Sequence, residues 1–296
     1  GGRIAIVTGA NSGIGYETAR ALVQKEATVV MACRNLQKAG AAAEEIRREK
    51  PAGPVEVMAL DLADLDSVGA FAAAYQASYD RLDLLINNAG VAVSPHSKTV
   101  QGFETHFGVN HLGHFALTGL LLERLLKTAG SRIVTVSSVS HKLGHFDFDD
   151  PHWEEPVYKP YQPNLAYGQS KLANLLFATE LQRKLTAAGH ETLSVAAHPG
   201  WTNTKLPQRA GWIRFFNRFF AQDTMMGALP TLYAATAAAA KGGDYIGPGG
   251  LLELRGYPKK VSANARACDQ AVAGRLWSVS EAMTGIRYPL SATDGA

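Results

Sequence analysis

Six short apolar runs recur along this chain, each followed by a longer segment whose apolar residues fall three and four positions apart. The runs are RIAIVT (3–8), ATVVMAC (27–33), VEVMAL (55–60), LDLLIN (82–87), RIVTVS (132–137) and TLSVAAH (192–198). Val and Ile dominate them, and the apolar character is continuous rather than alternating. A strand needs that pattern when both of its faces are covered, as in a parallel sheet. Segments such as GYETARALVQKE and KLANLLFATELQRKL show instead the spacing of a helix with one apolar face. Repeated strand–helix units predict an α/β fold, a single doubly wound domain over residues 1–296. Its sheet should be central and mostly parallel, with helices on both faces and ligands at the carboxyl ends of the strands. No repeat or linker divides the chain.

Composition narrows the function classes. A length of 296 residues, 46% hydrophobic and 19% charged, suits a core that needs no disulfide or metal to hold it. The net charge is only +3 and the basic residues are dispersed. With no basic stripe, no nucleic-acid partner is expected. Cys33 and Cys268 form no spaced pair and no metal signature with the scattered histidines, so no metal site is expected. Cys33 reads as a small apolar residue at a strand end. The cysteine usage fits a cytoplasmic location. No basic leader is visible, and no run approaches the roughly 18 apolar residues of a membrane span.

Two segments interrupt the rhythm. Residues 139–165 carry Pro151, Pro156, Pro160 and Pro163 among aromatics and read as a long ordered loop insertion. Residues 201–222 contain GWIRFFNRFF. Three readings stay open there: a helix packed on the core, a lid over an apolar substrate, or contact with a membrane surface through 212–220, where Arg214 and Arg218 sit among the aromatics.

The first run is followed directly by TGANSGIG (8–15), which opens a helical pattern. Gly9, Gly13 and Gly15 let the backbone turn sharply and approach a ligand closely. The helix start directs unpaired N–H groups and the positive end of its dipole into that turn. With Asn11, Ser12 and Ile14, the glycines make a candidate pyrophosphate cradle of Rossmann type, although the spacing is G-x3-G-x-G rather than G-x-G-x-x-G. At the end of the second run, ACRN places Arg34 where an NAD site usually has an acid. An arginine there suits a 2′-phosphate, which favours NADP(H), with NAD(H) as the alternative. Asp61, beside Leu62 in ALDLAD, either accepts from an adenine amino group or caps the next helix.

In AYGQSKLAN (166–174), Tyr167 precedes Lys171 by four positions. Residues so spaced share one helix face, about 6 Å apart along the axis. An ammonium beside a phenol favours phenolate and is expected to lower a pKa of about 10. The pair is a candidate proton-transfer device.

These motifs, together with NNAG (87–90), Asn110 in GVNHLGHF, Ser138 in VTVSSVS and PGWTNT (199–204), stand in the order seen in the short-chain dehydrogenase/reductase family. The chain resembles that family over nearly its whole length. SKTVQGFETHFGVNHLGHFALTGLLLERL and AYGQSKLANLLF are similar to the branch that holds retinol dehydrogenases and their bacterial relatives, which generally use NADP(H). Light-dependent protochlorophyllide reductases are near relatives, but they carry a functional cysteine just after the Pro-Gly, where this chain has Trp201.

The resemblance implies roles. Tyr167 would be the proton donor in carbonyl reduction and the base in the reverse oxidation. Lys171 would assist it and hydrogen-bond the nicotinamide ribose. Ser138, with Ser137 as the adjacent alternative, would donate to the substrate oxygen. Asn110 would hold a water that relays protons toward Lys171. Asn87, Ala89 and Gly90 would support the sheet and the adenosine side. Pro199, Gly200, Thr202 and Thr204 would line the nicotinamide side, Thr204 being the first candidate for the carboxamide. His198 reads as a structural strand-end histidine.

The expected activity is an NADP(H)-dependent carbonyl reductase or alcohol dehydrogenase. Its partner would be an apolar small-molecule carbonyl or alcohol, because Trp153, Tyr158, Tyr161, Trp201, Trp212 and Phe215 lie in segments expected to frame the pocket. Trp153, Tyr161, Trp201 and Trp212 are the candidate substrate contacts. Two rivals remain: a non-catalytic NADP(H)-binding regulatory or scaffold protein, and a protochlorophyllide-type reductase. Monomer and homo-oligomer are both compatible with the sequence.

Overall fold

Each of the six apolar runs is a strand: β1 Ile4–Thr8, β2 Thr28–Cys33, β3 Val55–Ala59, β4 Leu84–Asn87, β5 Arg132–Val136 and β6 Leu193–Ala197. The structure, a computed structural model, describes residues 2–155, 160–201 and 223–290. Two further strands, β7 Tyr245–Pro248 and β8 Pro258–Lys260, escape a sequence reading. Each is short and carries a proline, so neither shows the pattern of a buried strand. Among the described residues the sheet has eight strands in the order β3-β2-β1-β4-β5-β6-β7-β8. All pairs are parallel except β7 with β8. Pro258, Lys259 and Lys260 suit the outer edge, where proline and charge discourage pairing with another chain.

The longer helices among the described residues are α1 Gly13–Gln24, α2 Leu36–Arg48, α3 Leu65–Ser78, α4 Gly113–Leu126, α5 Pro163–Ala187, α6 Thr224–Thr236 and α7 Gln270–Thr284. Strand pleating sends successive side chains to opposite faces, and the register aligns them in rows. Ile6 stands beside Val30 and Leu85, and Leu85 beside Ile133. This row packs against Phe71 and Tyr75 of α3, Phe115 of α4, Phe177 of α5 and Trp277 of α7. The neighbouring row, Ala5, Val29 and Leu84, packs on the other face against Leu22 and Val23 of α1, Ile46 of α2 and Ala234 of α6. Each fully buried branched side chain in these rows contributes about 1.5–3 kcal/mol. Both faces are covered, which is why the strands read as continuous apolar runs.

From β1 the chain winds outward through β2 to β3, then crosses back to place β4 on the other side of β1. Strand order reverses at that point, and a crevice opens at the carboxyl ends of β1 and β4. Two local features shape its inner wall. A π turn, Gly108–Leu112, runs directly into α4. Pro163, expected within the long loop, instead starts α5, because proline's fixed φ and missing N–H suit a first helical turn. A 3-10 turn, Val139–Leu143, takes up the start of the same segment, so the irregular part is shorter than expected. Among the described residues no helix is long and apolar enough to cross a membrane.

Candidate active site

The carboxyl ends of the strands open onto one cleft of about 620 Å³. Its floor is the glycine turn between β1 and α1, and Gly9, Asn11, Ser12, Gly13, Ile14 and Gly15 all line it. Gly9 has φ +66, and a Cβ there would stand 3.0 Å from the Cα of Ala89. A Cβ on Gly15 would lie 2.5 Å from both Gly9 O and Asn88 Nδ2. Only glycine permits this closeness. Ser12 occupies the N-cap of α1 without a side-chain capping bond, and the first turn carries no acid. The N–H groups of that helix start therefore face the cleft without a side-chain acceptor, as an anion site requires.

Arg34, Asp61 and Leu62 also line the cleft. Lys38 of α2 joins Arg34 on the lining, a second cation that no sequence motif marks. Asp61 accepts a hydrogen bond from Ala63 N at 2.9 Å, whereas the cap of α3 is Asp64. The NNAG motif divides in two. Asn87 is buried and its Nδ2 donates to Thr118 Oγ1, away from the cleft. Asn88, Ala89 and Gly90 line the cleft. The pleat at the end of β4 sends one asparagine each way: Asn87 braces the sheet, as one of its expected roles, and Asn88 rather than Asn87 is on the cofactor side.

Tyr167 and Lys171 project from α5 onto the same lining, with Val136, Ser137, Ser138, Pro199 and Gly200. Lys171 Nζ is 5.7 Å from the centroid of the Tyr167 ring and donates to Val136 O at 3.1 Å. The phenol departs from expectation. Burial pushes Tyr167 above its ordinary value, and the protein group that pulls it down is the Ser138 hydroxyl. Burial also lowers Lys171, to about 8. Removing both groups from water favours the neutral forms more than the ammonium favours phenolate at this separation.

Ser138 caps the turn Val139–Leu143, its Oγ accepting from Ser140 N at 3.2 Å, while it also faces Tyr167. Ser137 Oγ donates to Lys171 O at 2.7 Å. Asn110 sits in the π turn behind the lining. Its Oδ1 accepts from Val91 N at 2.7 Å and its Nδ2 donates to Ser170 Oγ at 2.9 Å. A Cβ on Gly90 would be 3.1 Å from Asn110 Oδ1 and 3.4 Å from Lys171 Nζ, so those two groups meet across a glycine.

The remaining candidates fall elsewhere. Trp153 is buried and stands edge-on to Tyr161, with ring centroids 5.8 Å apart. Tyr161 donates to Glu104 Oε1 at 3.0 Å and lies 2.8 Å from His106 Nδ1. His106 in turn is edge-on to the ring of Tyr167. Trp153 and Tyr161 thus connect to Tyr167 through His106 and lie off the described lining of the cleft. Trp201 is 42% exposed beside it. His198 is buried, its Nδ1 accepting from Gly200 N, and burial lowers it to about 3. Thr202, Thr204, Tyr158, Trp212, Phe215 and the whole of 212–220 lie outside the described residues.

A doubly wound sheet with a glycine turn, a Ser–Tyr–Lys group and a dinucleotide-sized cleft defines a class, and comparison with known proteins agrees. The model of the family described as short chain dehydrogenase matches residues 3–148. Retinol dehydrogenase 12 of Mus musculus is 42% identical over 293 residues, covering 97% of this chain and 88% of that protein. Retinol dehydrogenase 11 of Homo sapiens is 42% identical, covering 96% and 86%. Among solved structures, an uncharacterized protein from Mycobacterium Paratuberculosis matches with a TM-score of 0.82 and 45% identity, over 97% of this chain and 95% of that one. The chain belongs to the short-chain dehydrogenase/reductase family and is an oxidoreductase of that type, a family that binds a nicotinamide cofactor. Within the family it falls in the retinol-dehydrogenase-like branch.

Proposed function

We propose that this oxidoreductase is NADP(H)-dependent and interconverts an apolar aldehyde or ketone with its alcohol. The observation that carries the reading is the presence of Tyr167, Lys171, Ser138 and the glycine turn on one cleft. The uncapped start of α1 fits a pyrophosphate. Arg34 and Lys38, with no carboxylate at the end of β2, fit a 2′-phosphate. Bound there, the nicotinamide supplies or accepts the hydride. Lys171 engages Val136 O with one N–H and has others for ribose hydroxyls.

Tyr167 donates the proton to the substrate oxygen in reduction. A phenol pushed up by burial is fully protonated at neutral pH, the form a donor needs. In oxidation it must take the proton, and the nearby ammonium then favours its ionised form. Ser138, beside the phenol, donates to the substrate oxygen as negative charge develops there. Asn110, adjoining Lys171 across Gly90, holds the water through which the donated proton is replaced. Val91, Ala92, Val109 and Val136 give the lining apolar area, and the names of the relatives favour the same kind of substrate.

A protein that only bound the dinucleotide would need neither Tyr167 nor Ser138. NADPH oxidation measured with a panel of apolar aldehydes separates the two readings. Tyr167→Phe should reduce turnover by about 100-fold or more, the usual scale for a lost acid–base group, while NADPH binds as in wild type. Wild-type rates in the Phe variant would remove the donor assignment, and no turnover in either direction would favour the binding-only protein.

A further inference from the structure

One buried imidazole near the cleft has no task in that mechanism. His114, the second residue of α4, is 1% exposed. Its Nδ1 lies 3.0 Å from the carbonyl oxygen of Asn110, and its Nε2 lies 2.9 Å from Thr8 Oγ1. A carbonyl only accepts, so Nδ1 carries a proton. Thr8 Oγ1 already accepts from Asn88 N and Ala89 N, each at 2.9 Å. With both lone pairs engaged it can only donate, and of the two acceptors in reach Nε2 at 2.9 Å is nearer than Ile86 O at 3.3 Å, which leaves Nε2 as the bare nitrogen. The opposite tautomer would set a lone pair against the Asn110 carbonyl and press a third N–H on Thr8. An imidazolium would do the latter. Burial, against the Asn110 bond and with the charge of Lys171, lowers His114 to about 4 and keeps it neutral.

We propose that His114 is a positioning residue: its neutral imidazole, protonated on Nδ1, ties the cofactor wall at Thr8 to the proton-relay residue Asn110. The proposal rests on the roles assigned above to the cleft and to Asn110. On one side, the Thr8 hydroxyl fixes the backbone of Asn88 and Ala89, both on the cleft lining. On the other, Asn110 is held at three atoms: its carbonyl by His114, Oδ1 by Val91 N, and Nδ2 on Ser170 Oγ. Ser170 Oγ donates in turn to Tyr167 O at 2.8 Å. A π turn departs from regular helix bonding and needs such bracing to hold one shape.

The two bonds of the ring can be separated by substitution. Asparagine can set an amide N–H near the place of Nδ1, and glutamine an amide oxygen near that of Nε2. His114→Asn keeps the Asn110 bond and loses Thr8. It should weaken NADPH binding about five- to tenfold with kcat within about twofold. His114→Gln keeps Thr8 and loses Asn110. It should lower kcat about five- to tenfold with NADPH affinity unchanged. A packing role alone predicts the same losses in both variants, and that result overturns the proposal. Imidazole 15N NMR of the whole wild-type chain depends neither on activity nor on the variants folding. A proton on Nδ1 alone from pH 8 to pH 5 supports the proposal; a proton on Nε2, or an imidazolium near neutrality, overturns it. If wild type reduced no carbonyl, the function above would fail, while NADPH affinity in the two variants and the tautomer would still decide the role of His114.

Discussion

Gly15→Ala sets two effects against each other, and their sizes decide the outcome. Alanine is favoured over glycine inside a helix by up to about 1 kcal/mol, and less near a first turn such as this one. Against that gain, the new Cβ would lie 2.5 Å from Gly9 O and from Asn88 Nδ2, where ordinary contact begins at 3.4 Å. Backbone must therefore move by close to an ångström. Overpacking of that kind costs about 1–3 kcal/mol, so the net expectation is a loss of about 1–2 kcal/mol. What moves is the wall of the cradle, so NADPH should bind at least about tenfold more weakly, a change of about 1.4 kcal/mol. Gly40→Ala in α2 is the control, because a Cβ there meets no heavy atom within 4 Å. It should raise stability by about 0.5–1 kcal/mol and leave the cofactor alone. Urea unfolding and fluorescence titration with NADPH measure both quantities. If Gly15→Ala gained stability like its control and bound NADPH normally, the turn would not be the cradle.

Arg34→Asp should weaken NADPH far more than NADH, since it removes one of the two lining cations proposed to hold a 2′-phosphate; equal losses in binding titrations would refute the preference. Lys171→Met should abolish most turnover yet stabilise the fold. Burial lowers the amine from 10.5 to about 8, so the folded chain binds fewer protons than the unfolded one between those values. The penalty is full below about pH 8 and disappears as pH rises to 10.5. It amounts to about 3 kcal/mol, less the lost bond to Val136 O. Denaturation curves for the two proteins should therefore converge by pH 10.5, and a constant offset across pH would contradict the assignment.

Local chemistry is what the sequence makes legible. The six strands announce themselves because burial on both faces demands unbroken apolar runs, and the short, β-branched stretch Val29 to Ala32 shows it. The glycine turn and the Tyr167–Lys171 spacing are equally local, each depending on backbone geometry within one helical turn. β7 and β8 are silent because three or four residues with a proline carry no period. The direction of each side chain at the end of β4 is also hidden, so the sequence does not separate Asn87, which bonds Thr118, from Asn88, which lines the cleft.

By itself, then, the chain determined its alternating architecture, the place of the glycine turn and the spacing that sets Tyr167 and Lys171 on one helix face. Tertiary structure alone decided how acidic that pair is, because desolvation acts on Tyr167 and Lys171 only once the interior has closed around them. It alone placed Lys38 beside Arg34 and joined Thr8 to His114 across 106 positions. Burial and long-range hydrogen bonds are properties of the packed fold, and no spacing along the chain encodes them.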